Sequence, residues 1–175
     1  MARKIEHAVD SDPTCAGVIA ELVAECRSRA LARPDEASWH FLNGRLLMAA
    51  GNPLEARDEL ERAALLDPRD PRITAHLGLW YEAALLAATG TTTNVELPPS
   101  VGPEVSASAA RFAAIEEALS VEDLAQRSLE LFEQALTFRL PRRDVQFLQR
   151  HAAIVCESAS NTDVRMPRRA LLRAV

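Results

Sequence analysis

Aromatic side chains make up only 5% of this 175-residue chain, and its six glycines are scattered rather than clustered. The first scarcity argues against an aromatic-rich β core. The second removes any glycine-rich phosphate loop, which needs several glycines in one turn. β-Branched residues never alternate over a strand-length run, so no sheet is expected. Three cysteines, Cys15, Cys26 and Cys156, form an odd set without CxxC spacing. They read as buried, reduced thiols rather than a disulfide framework or a metal site. The longest uncharged run, residues 83 to 95, is too short to span a bilayer. No apolar segment follows Arg3 and Lys4, so no secretory signal is expected and the location reads as cytoplasmic. Acids outnumber bases, 25 to 20. Residues 161–175 hold four arginines and one acid, a local +3 in a chain of net charge −5, which leaves −8 on the rest. An acidic body argues against binding to nucleic acid through its phosphates, the basic tail being the only exception.

What is abundant is alanine, leucine and arginine, a mixture that favours helices. An all-α fold is therefore expected, organised as an arm over 1–12, one helical domain over 13–158 and a basic tail over 159–175. Asp12 and Pro13 signal a helix start, and Val18, Ile19, Leu22, Val23 and Cys26 form its apolar stripe up to Pro34. A second helix is expected from about Asp35 to Ala50, with Gly51 as its stop. Asn52-Pro53-Leu54-Glu55 then combines an N-cap, a first-turn proline and a candidate capping box. Asp70-Pro71 opens the fourth helix, which runs to about Ala88. Residues 89–119 are rich in breakers, apart from a short alanine-rich helix over about 104–119. Ser120 caps a further helix, and a last one spans about 142–158.

A period lies within these helices. At a shift of 34 residues, Gly44 falls on Gly78, Leu47 on Tyr81 and Pro34 on Pro68. At a shift of 72, Ala56, Leu60 and Ala63 fall on Ser128, Phe132 and Ala135. Leu77-Gly78-x-x-Tyr81, with Gly44, Ala56-x3-Leu60, Ala63 and Pro68, resembles the tetratricopeptide repeat. In this chain Trp39 sits one residue early, and Asn43 stands where the pattern has leucine.

The resemblance implies a right-handed solenoid of helix pairs, capped by the first and last helices, with the second repeat interrupted by an insertion over 89–119. Glycine at 44 and 78 would let the two helices of a pair approach closely, with Ala56 and Ala63 making room. The insertion reads either as neutral or as functional. The resemblance also implies a concave face that grips a peptide or amphipathic helix of another protein. That face would comprise Ser38, Phe41, Arg45, Met48, Arg72, Ala75, His76, Leu79 and Glu82. It suits a segment bearing at least one acid.

The arginines of the tail, Arg165, Arg168, Arg169 and Arg173, are further candidate contacts, and homo-oligomers are compatible with either surface. Four histidines, His7, His40, His76 and His151, show no metal-ligand spacing, although the resemblance puts His40 and His76 on the first helices of adjacent repeats, where they could approach each other. No serine sits in GxSxG, and the carboxylates read as solvated helix faces. Trp39 and Trp80 read as packed between helices. The expected function is thus a non-enzymatic interaction module, an adaptor or subunit without cofactor, metal or membrane span. A small secretion-type chaperone is one alternative. Another is a ligand-binding or enzymatic helical domain with 89–119 as its lid.

Overall fold

A computed structural model describes residues 16–91 and 119–162. Among the described residues there are six helices and no strand: α1 (Ala16–Ala32), α2 (Ala37–Ala49), α3 (Pro53–Leu66), α4 (Pro71–Ala88), α5 (Val121–Leu136) and α6 (Arg142–Ser160). They group into two compact units. One, up to residue 69, holds α1–α3; the other, from residue 70, holds α4–α6. The arm, most of the expected insertion and the tail arginines lie outside the described residues. So do His7, Cys15 and the cap expected at Asp12.

In the first unit α1 packs on α2 and α2 on α3. Cys26 and Ala30 of α1 close a core with Trp39, Leu42 and Leu46 of α2, flanked by Leu22 and Val23. Pro34 cannot continue a helix, so α1 ends at Ala32, and α2 starts at Ala37, two residues later than expected. Gly51 stops α2 in the left-handed region at φ 71°. Its N–H donates to Met48 O (3.0 Å) and that of Asn52 to Leu47 O (2.8 Å), which satisfies two helix-end carbonyls. Only three residues separate α2 from α3, so the two run antiparallel. The cap of α3 departs from expectation. Pro53 takes the first position, but the Asn52 side chain makes no cap hydrogen bond. Asn52 sits at ψ 68°, outside the extended region from which a cap side chain reaches the first turn.

In the second unit α4 packs on α5, and α6 packs on both. The Asp70 carboxylate accepts from Arg72 N at 2.8 Å and caps α4. Gly90, at φ 62°, ends α4 by the same device as Gly51, with Gly90 N–H donating to Ala87 O and Thr91 N–H to Leu86 O. Ser120 and Asp123 form a full reciprocal capping box at the start of α5.

Each unit contains one close crossing built on glycine. A Cβ on Gly44 would stand 2.7 Å from Leu60 Cγ and 3.2 Å from Ala56 O. A Cβ on Gly78 would stand 2.7 Å from Phe132 Cε1 and 3.4 Å from Leu131 Cβ. Leu60 and Phe132 are the two residues that the shift of 72 superimposes. Ser128, which superimposes on Ala56, is fully buried and donates its hydroxyl to Gly78 O at 2.9 Å. That bond removes the penalty of burying a hydroxyl, so serine is tolerated where the other crossing has alanine. Both tryptophans are buried, Trp80 completely.

Candidate functional site

The residues expected on a ligand-facing surface lie on α2 and α4, and they divide by exposure. On α2, Ser38 is exposed, Arg45 and Met48 are half-buried and Phe41 is buried. The Arg45 guanidinium stands 5.7 Å from the Phe41 ring centroid, a cation–π distance, so the arginine covers the ring. On α4, Arg72 is exposed, Ala75, His76 and Leu79 are half-buried and Glu82 is buried. Arg72 pairs with Asp70 at 2.7 Å. Burial raises the Asp70 carboxyl, but the side-chain and backbone hydrogen bonds from Arg72 outweigh it and hold the group below its ordinary value.

Glu82 is placed otherwise than a groove residue would be. Its carboxylate points into the second unit and meets His151 Nδ1 at 2.7 and 2.9 Å. The side chains are 5% and 2% exposed, so the pair is shielded from solvent. Phe147, one helical turn before His151, lies 4.2 Å from its ring centroid, and Phe132 of α5 approaches edge-on at 6.4 Å. Burial is the largest influence on Glu82 and raises its carboxyl above the ordinary value, against the hydrogen bond and charge of His151, which lower it. The two residues stand 69 positions apart, and no local pattern links them. The one trace in the sequence is the four-residue spacing of Phe147 and His151, which puts both on one helix face.

The other histidines are engaged locally. His40 Nδ1 meets Glu59 Oε2 at 2.6 Å and its Nε2 meets Pro34 O at 3.1 Å, tying α2 to α3 and to the preceding turn. His76 Nδ1 meets Arg72 O at 2.8 Å. Among the described residues, no three His, Cys, Asp or Glu side chains converge as metal ligands. Cys26 and Cys156 are free and buried. Burial, with Glu25 adding its charge, pushes the Cys26 thiol up to about 11, and burial raises Cys156 as well. Neither has the lowered pKa of a nucleophilic thiol. A cleft of about 340 Å³ opens on the second unit, lined by Tyr81, Leu119, Asp123, Gln126, Arg127 and Glu130. Its polar groups bind neighbours. Glu130 accepts from Gln126 at 2.9 Å and from Arg127 at 3.3 Å, and Asp123 serves the capping box. None is left buried and unpaired to demand a ligand. No described helix is long and apolar enough to cross a membrane.

No family model matches the chain, and neither a curated protein nor a solved structure shows significant similarity to it.

Proposed function

We propose that the chain is a helical-repeat interaction module of the tetratricopeptide type, a non-enzymatic adaptor or subunit that binds a segment of another protein. The observation carrying this reading is the pair of like crossings, Gly44 on Leu60 and Gly78 on Phe132. The glycines stand 34 residues apart and their partners Leu60 and Phe132 stand 72 apart, which is what a helix pair duplicated with an insertion in its second copy produces, and repeated helix pairs serve chiefly to display a recognition surface. The long segment between α4 and α5 then reads as an insertion within the second repeat, with α1 and α6 as covers for the ends.

The chemistry of the partner follows from what α2 and α4 offer separately. With Glu82 drawn into its pair with His151, the charged side chains that remain are Arg45 on α2, which covers Phe41, and Arg72 on α4, which also pairs with Asp70. The apolar ones open to a partner are Met48 and Leu79, both half-buried. This combination suits an amphipathic segment that carries acidic residues beside its apolar positions.

Affinity capture from the native host followed by mass spectrometry would identify the partner. Recovery should fall at least about tenfold for Arg45→Glu with Met48→Glu, and separately for Leu79→Glu, which is a loss of about 1.4 kcal/mol or more. Phe41 is unsuitable for such a test because it is part of the core. Undiminished recovery by both variants, each with native helix content by circular dichroism, would remove these faces from recognition.

A further inference from the structure

Among the described residues of the second unit, the Glu82–His151 pair joins two ionisable side chains away from water. It spans α4 and α6, and the α6 side chain is stacked against Phe147 and edged by Phe132. We propose that this pair is a proton-held latch that fixes α6 on α4 and α5, so that α6 loosens as the pair loses its proton.

The reasoning rests on charge count. With one proton between them, a carboxylate and an imidazole form either an ion pair or its neutral tautomer, and the net charge placed in the interior is zero. Without that proton the interior holds a net negative charge with a single donor, which is costly in a shielded site. Undocked, both groups meet water, where an imidazole gives up its proton near its ordinary value. Between that value and the pH at which the docked pair gives up its proton, the docked state holds up to one proton more than the undocked state. Docking must then weaken as pH rises, by up to tenfold in the docking constant per pH unit. The sign agrees with Glu82, whose carboxyl sits above its ordinary value: its contribution is present at low pH and lost on going up through the folded value.

Among the described residues of α4, α5 and α6, the other buried ionisable groups are Tyr81 and Cys156, and burial raises the Cys156 thiol above its ordinary value, so it stays protonated. His151 is the charged neighbour that bears on Glu82. On α5 the charged residues Glu122, Asp123, Arg127, Glu130 and Glu133 are all exposed. On α6, Arg142, Arg143, Arg150 and Glu157 are exposed and Asp144 is half-exposed. On α4, Arg72 is exposed and His76 is held at Arg72 O.

Hydrogen exchange read by mass spectrometry on the full chain tests the proposal. Protection factors, corrected for intrinsic exchange, are compared between about pH 6 and about pH 9, the span over which an exposed histidine has lost its proton. Amides of residues 147–158 should lose protection by up to tenfold per pH unit, while those of α1 in the first unit, a helix without histidine, stay level. In Glu82→Gln the carboxamide still accepts from Nδ1–H but carries no charge, and the dependence in α6 should disappear. Level protection of α6 in the unaltered chain overturns the latch, and that measurement needs no variant to fold. A folded Glu82→Gln that keeps the full dependence overturns it equally.

Discussion

Replacing Asn43 by leucine should make the protein more stable, although it alters a fully buried residue. Asn43 lies inside α2, and neither its Oδ1 nor its Nδ2 has a hydrogen-bond partner. A buried amide without partners forfeits the bonds that it makes to water in the unfolded chain. The cost is about 1–3 kcal/mol by mutational scales. Leucine has the same number and branching of side-chain heavy atoms, with methyls in place of the oxygen and nitrogen. The exchange therefore removes the penalty with little change of shape, and leucine is also the better helix former by a few tenths of a kcal/mol. Overfilling by the slightly larger methyls takes back part of the gain. The expected net is about 1–2 kcal/mol, or roughly 2–8 °C in Tm for a chain of this size. Calorimetry and urea denaturation of Asn43→Leu beside Asn43→Ala would measure it, the alanine variant separating loss of the amide from gain of the methyls. A leucine variant destabilised by more than about 1 kcal/mol would refute the reasoning, because it would mean that the amide is bonded in the native protein.

Further expectations follow from the crossings, the caps and the buried pair. Gly44→Ala and Gly78→Ala each place a Cβ 2.7 Å from a buried side-chain carbon, and each should cost about 1–3 kcal/mol in urea denaturation. Ser120→Ala removes one arm of a formed capping box and should cost about 1 kcal/mol, while Asn52→Ala should cost less because no cap bond is lost. His151→Ala leaves Glu82 buried without its donor and should cost about 3–5 kcal/mol at neutral pH. That loss should shrink as pH falls and Glu82 takes up a proton, so stability curves at two pH values would check both size and sign.

Much of the fold was legible because its signals are local. Pro53, Pro71, Gly51 and Ser120 each mark a helix end through their own backbone or side-chain chemistry, and the helices begin and stop at or near these residues. The close crossings were legible for a different reason: a missing Cβ leaves a trace in the sequence, and the shift of 34 residues exposed it twice. Asn52 misled because a residue type favoured at caps does not fix the ψ that capping needs. Glu82 misled more seriously. Its helix position suggests a surface acid, and only the docking of α6, 69 residues on at His151, turns it into a core group. Phe41 was expected at the groove from its place in the repeat, and its apolar character is what buries it. Long-range pairing of this kind depends on which helix lies beside which, and spacing along one helix carries no information about that.

The two ends that bracket residues 92–118 have a practical consequence. α4 is closed by the left-handed Gly90 and α5 is opened by the reciprocal bonds of Ser120 and Asp123. Each boundary is thus set by bonds that its own residues make. A peptide tag or reporter spliced into that stretch should therefore leave the phase of either neighbouring helix unchanged, which helix content by circular dichroism would check.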